Sequence, residues 1–229
     1  HKEPGEGTSV WDLSQAAIKF YPVGYEPTHV IQSAPMGNLW FEIPADDPNY
    51  TSQVSYTFER DSKIVGLLPH AHLRGKSAKY VAYYPDGEQE VLLFVPSYDF
   101  NWQTTYRFRE EKAMPAGTKV ELTMSWDNST GNPHNPDATK TVAFGQPTTD
   151  EMMFGFMAFT DAEEGYKPKT IGGFGSRREG GERPSPQEMM RTGLGIDLDS
   201  LSPEDKQRLM KSFANGGGFG RRREGADAG

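Results

Sequence analysis

The chain contains no cysteine. Disulfides, zinc–thiolate sites and cysteine nucleophiles are therefore excluded, although that absence does not fix the redox compartment. Histidine is scarce, with five in 229 residues. No apolar run approaches the ~20 residues needed to span a bilayer. Basic residues are in deficit: 24 Lys and Arg stand against 32 Asp and Glu, for a net charge of −8. Such a chain does not concentrate the positive charge that a phosphate backbone requires, which argues against nucleic acid as the main partner. Hydrophobic residues make up only 35 %, while Gly and Pro number 25 and 17. That balance points to a real core accompanied by long, loosely packed segments. The opening stretch HKEPGEGTSV (1–10) is polar and acidic and lacks the apolar centre of a signal peptide. Also missing are a nucleophile–base pairing, a Gly-rich phosphate loop ahead of a helix, and a spacing of paired carboxylates suited to acid–base work.

What is present is a series of short β-type runs. After a loose N-terminal arm (1–9), residues 10–160 contain AAIKFYPVG, NLWFEIP, SQVSYTFE, KIVGLLPHAHL, AKYVAYYP, QEVLLFVP, TYRFRE, TKVELTMSW, KTVAFG and MMFGFMAF. Each is rich in Val, Ile, Tyr, Phe or Thr, and turn residues separate them, notably Pro85-Asp86-Gly87 and Pro115-Ala116-Gly117. AKYVAYYPDGEQEVLLFV reads as a hairpin closed at Asp86-Gly87. No helical period stands out before residue 160. The expectation is an all-β, antiparallel β-sandwich followed by a Gly/Arg-rich, partly helical tail over 161–229. In that tail GGFGSRREGGE (172–182) recurs as GGFGRRREGA (217–226). Between the copies, Ser185-Pro186 and Ser202-Pro203 each place Ser at a helix N-cap and Pro at the first helical position, with acids in the first turn. Helices this short are marginal alone, so the tail and the N-terminal arm are expected to gain order on a protein partner or an anionic membrane surface. Phe174, Phe219 and the Arg clusters would serve as anchors.

Two of the five histidines, His70 and His72, lie two apart in LLPHAHLRGK. On a strand such residues share a face, so both rings could reach one metal ion. A second element of interest is PTTDEMMFGF (147–156). A thioether is a soft ligand, and with imidazoles it forms a donor set suited to copper, above all the reduced ion. Met152 and Met153 are adjacent and point to opposite faces, so one could meet the histidines while the other fills core. His1 could chelate through its amine and ring only with a partner histidine. His29 and His134 read as ordinary loop residues, and Asp99 and Asn101 of YDFNWQ as loop hydrogen bonders.

LPHAHLRGK, YPDG followed by EVLLFVPSYDFNWQ, MPAGTKVELTMSWDNS and FGQPTTDEMMFGF, in this order, resemble the second domain of the copper type II, ascorbate-dependent monooxygenases. That family includes peptidylglycine α-hydroxylating and dopamine β-monooxygenases. The resemblance covers roughly residues 40–160. It implies a jelly-roll-like sandwich with one copper held by His70, His72 and Met152, which binds oxygen and attacks a substrate C–H bond. It also implies an extracytoplasmic location and, for turnover, ascorbate or another electron donor.

The departures carry information too. The family's electron-transferring first domain, with its three histidine ligands, has no counterpart. IKFYPVG (18–24) resembles the end of that domain, but Phe20 stands where a ligand histidine would be. Contacts that anchor peptide substrates in one branch fall here on Leu68, Phe154 and Phe156. Peptide amidation is therefore not expected. Two expectations follow: a copper-binding, monooxygenase-like module that needs an outside electron source, or a non-catalytic accessory subunit held in an extracytoplasmic complex by its tails.

Overall fold

The computed structural model describes residue 13, residues 15–165, residues 202–204, and residues 206 and 207. Ten strands run from Gln32 to Asp161 among them: β1 (Gln32–Gly37), β2 (Glu42–Ile43), β3 (Tyr50–Thr57), β4 (Ser62–His70), β5 (Gly75–Tyr83), β6 (Gln89–Val95), β7 (Tyr106–Met114), β8 (Lys119–Trp126), β9 (Val142–Ala143) and β10 (Phe154–Asp161). Two four-stranded antiparallel sheets, ordered β1-β10-β4-β7 and β3-β8-β5-β6, form the sandwich, and β2 pairs with β9 as a small accessory ribbon. The expected all-β sandwich is the observed fold.

Alternation in sequence becomes the division between core and surface. In β8, Val120, Leu122, Met124 and Trp126 are buried, while Lys119, Glu121 and Thr123 are half-exposed on the other face. Edge strand β3 is half exposed throughout, with Thr51, Gln53 and Ser55 outward. The sheets close tightly where Gly155 of β10 faces Tyr80 and Leu122: a Cβ there would sit 2.4 Å from Leu122 Cδ2 and 2.6 Å from the Tyr80 hydroxyl. Farther along, Phe159 packs edge-on to Phe58 at 5.2 Å between centroids.

The β5–β6 hairpin forms as expected. Tyr83 pairs with Gln89, the Tyr84 N–H bonds the Glu88 carbonyl, and Gly87 takes φ 93°, a conformation suited to glycine. The run 18–24 is not a strand. Pro22 and Gly24 shape a turn closed by Tyr25 N–H to Pro22 O, and no described strand pairs with this segment. NLWFEIP contributes only the two residues of β2. The helix start at Ser202 is observed, with Pro203 and Glu204 helical and the Lys206 N–H bonded to the Ser202 carbonyl at 3.0 Å. The Gly/Arg repeats, the helix expected after Ser185 and the arm 1–9 lie outside the described residues.

Chain crossings between the sheets place the site. The chain leaves the first sheet at His70 and enters the second at Gly75. It returns through residues 96–105, between β6 and β7. Antiparallel pairing brings the ends of β4, β6 and β8 and the starts of β5, β7 and β10 to one end of the sandwich. That end gathers the His-x-His segment, the YDFNWQ loop and the DEMM segment.

Candidate metal centre

His70 is the last residue of β4, and His72 follows in the crossover. Their rings meet at 5.3 Å between centroids and 85° between planes. Inward positions of β4 carry Leu67 and Pro69, continued by Ala71, all buried, so the two imidazoles lie on the outer face of the first sheet. His70 pairs directly with Phe154 of β10, and the two rings stack at 6.4 Å and 24°. The Phe154 ring in turn leans over Gly37, where a Cβ would stand 2.6 Å from it. His72 is 4 % exposed, with Phe100 edge-on to it at 6.2 Å.

Both rings present Nδ1 to an oxygen. The partner is Gln103 Oε1 at 2.5 Å for His70 and the Asp150 carbonyl at 3.1 Å for His72. Burial lowers both imidazole pKa values, that of His72 to about 4, and the bonds to oxygen only partly offset it. Near pH 7 both rings are neutral, which is the metal-binding form.

Glu151 is the centre of the support. It is fully buried, and its Oε2 accepts from His72 N–H at 2.8 Å and Trp126 Nε1–H at 3.2 Å. Its Oε1 accepts from Arg74 N–H at 2.6 Å. Burial pushes the carboxyl up to about 7, against the downward pull of these donors and of the Arg74 charge. The buried Arg74 guanidinium is itself taken up by Asn128 Oδ1 and the Thr149 carbonyl, both at 2.8 Å. Asn128 then ties the long loop 127–141 to the Pro44 and Lys140 carbonyls. One carboxylate thus fixes the backbone around His72 to the residue beside Met152.

Both methionines precede the ladder of β10, yet they keep its alternation. Met153 is fully buried in the core, and its carbonyl accepts from Asn38 N–H at 3.3 Å. Met152 is partly buried and packs against the core cluster, and carrying the alternation of β10 back past Phe154 would set it on the histidine side of the sheet. Continuing the Phe154–His70 register by two residues sets Met152 opposite His72. Among the described residues no three of His, Asp, Glu or Cys gather into a metal-holding group, so a third donor from those classes is not at hand. Two neutral imidazoles and a thioether remain, a set that fits a soft ion such as Cu(I) and is a poor one for magnesium or calcium.

The other singled-out residues take modest roles. Asp99 Oδ1 accepts from Asn101 N–H, a local loop turn as expected. His134 is exposed, while His29 is half-buried, with its Nδ1 unpaired. Phe20 is 82 % exposed, and Phe156 and Leu68 pair across the first sheet beside the site. His1 lies outside the described residues. Gln103, Arg74, Asn128 and Trp126 were not singled out from sequence. Glu151 enters the sequence reading only within PTTDEMMFGF, where Asp150 stands beside it and no local pattern tells which acid is buried.

No protein-family model matches the chain, and no curated protein matches it. Among solved structures, the infectious bursal disease virus Gt strain gives a TM-score of 0.33 at 10 % identity, over 64 % of this chain and 36 % of that one. The VP2 subviral particle of the same virus gives 0.28 at 14 %, over 64 % and 36 %. The Gx strain gives 0.24 at 16 %, over 67 % and 37 %. The chain spans little more than a third of the length of these proteins, and similarity at this level carries no functional argument.

Proposed function

We propose that the chain is a copper-binding, monooxygenase-like module whose metal is held by His70, His72 and Met152. The observation that carries this reading is the sorting of the two methionines. Met153 is fully buried in the core, while Met152 is partly buried, and the alternation of β10 supports setting it toward the imidazoles. Copper bound there would supply dioxygen binding and one-electron chemistry at a substrate C–H bond. The chain's own residues hold two neutral rings, fix their orientation through Gln103, Asp150 and Glu151, and border the site with Phe154, Phe156 and Leu68. Those neighbours suit an apolar substrate. No described residue offers a second set of metal-holding groups, so on this reading electrons come from ascorbate or a separate donor. The reading also carries an extracytoplasmic location.

Metal analysis of the purified chain tests it. Near one copper per chain is expected, lost in His70→Ala and weakened in Met152→Ala. The Cu(II) form should give a type 2 spectrum without intense blue colour, because no thiolate exists to ligate it. Copper-free protein after loading, or unchanged copper in His70→Ala, rejects the reading. A second reading is a non-catalytic accessory subunit. It is favoured by the exposed apolar segment carrying Ile18, Phe20, Tyr21, Val23, Tyr25 and Ile31, an unusual density of uncovered hydrophobics that suits a protein partner. Copper-free protein that co-purifies with a larger assembly, and is released when residues after Gly165 are deleted, would support it.

A further inference from the structure

A neutral imidazole exists as two tautomers, and only the nitrogen without the proton can bind a metal. Two rings placed side by side therefore make a site only if each carries its proton on the nitrogen turned away from the ion. For His72 the bonded partner of Nδ1 is the Asp150 carbonyl at 3.1 Å, which can only accept and so favours a proton on Nδ1. For His70 the corresponding oxygen belongs to a side chain, Gln103, which could in principle present either end of its amide.

The surrounding bonds remove that freedom. Gln103 Nε2 donates to the Phe100 carbonyl at 2.9 Å, which commits the NH2 end to the loop and turns Oε1 toward His70 Nδ1. An amide oxygen cannot donate, so Nδ1 must carry the proton and Nε2 the lone pair. The loop that delivers Gln103 is itself fastened to the site. The Tyr98 hydroxyl accepts from Ala71 N–H and donates to the Ala71 carbonyl, each at 2.9 Å, and Ala71 is the residue between the two histidines. Within the loop, Trp102 N–H bonds the Asp99 carbonyl at 2.9 Å, which forms the turn that precedes Gln103.

We propose that Gln103 is the positioning residue of His70, fixing the ring as the Nδ1–H tautomer so that Nε2 is offered for coordination beside His72. Its consequence for copper rests on the reading above, whereas the tautomer itself does not. Partners of this kind, one bond removed from a metal, typically set affinity by about 10- to 100-fold.

The test is long-range proton–nitrogen NMR on the full, metal-free chain with labelled histidine, at pH 7.5, paired with a competition titration of Cu(I). In the unaltered chain His70 should be protonated on Nδ1. Gln103→Leu, which keeps bulk but removes the acceptor, should move His70 toward the Nε2–H form, leave His72 unchanged, and weaken Cu(I) by about 10- to 100-fold. Gln103→Glu restores an acceptor oxygen and should restore both readings, an outcome that loop disruption alone would not give. His70 protonated on Nε2 in the unaltered chain, or an unshifted His70 in Gln103→Leu, overturns the proposal. Should the tautomers behave as stated while the unaltered chain binds no copper, the positioning role stands and the copper reading falls.

Discussion

Replacing Glu151 by Leu removes the one acceptor group shared by three N–H donors, the amides of His72 and Arg74 and the Trp126 indole. Leucine is of similar bulk, so the loss is one of bonding more than of volume. Each buried donor left unpaired costs about 1–3 kcal/mol. With Trp126 fully buried and His72 and Arg74 at 4 % and 2 % exposure, water reaches these groups poorly. The summed cost is on the order of 3–6 kcal/mol, allowing for some relaxation of the crossover. Domains of this kind are stable by about 5–15 kcal/mol, so the substitution removes a large share of the total. At about 2–4 °C per kcal/mol for a chain of this size, the melting midpoint should fall by on the order of 10–20 °C. Urea unfolding of the metal-free chain at pH 8 measures the loss, and amide hydrogen exchange at His72 and Arg74 localises it. Glu151→Gln, which retains one acceptor oxygen, should fall between the two. A Leu variant within about 1 kcal/mol of the original, with both amides still protected, would refute the assignment of Glu151 as the group that closes this end of the sandwich.

Burial holds the His72 pKa down to about 4. The unfolded chain therefore takes up a proton below about pH 6.5 that the folded chain refuses until about 4. Relative to His72→Gln, the metal-free protein should lose up to about 3 kcal/mol of stability as pH falls across that window, and a pH-independent difference in urea midpoints would contradict it. The Tyr80 hydroxyl is buried without a partner, so Tyr80→Phe should leave stability unchanged or raise it by about 1 kcal/mol. A clear loss on calorimetry would reveal a partner for that oxygen. Gly155→Ala forces a methyl into Leu122 and Tyr80 and should cost about 1–3 kcal/mol, with little cost if the sheets can part there.

Much of the sandwich was legible because its strands alternate. TKVELTMSW and the hairpin around Asp86-Gly87 carried their own instructions in period and turn chemistry. IKFYPVG misled because its residues have strand propensity, while a strand also requires a pairing partner, and no described strand pairs with this segment. The histidine pair was readable from the two-residue period. The choice between Met152 and Met153 was not, because alternation says only that they differ, and the sense comes from which face of β10 meets Tyr80 and Leu122. Gln103 and Glu151 escaped for another reason. Their partners lie 33 and 79 residues away in sequence, and no local pattern encodes a bond of that span.

Strand β10 is the last of the sandwich to leave the ribosome, yet it lies inside its sheet, between β1 and β4. A ribosome-bound chain that stops short of Phe154 has a gap where that strand belongs, so β1 and β4 have nothing to join them until residues 154–161 emerge. The first sheet is therefore completed by insertion of its last-made strand and not by addition at an edge.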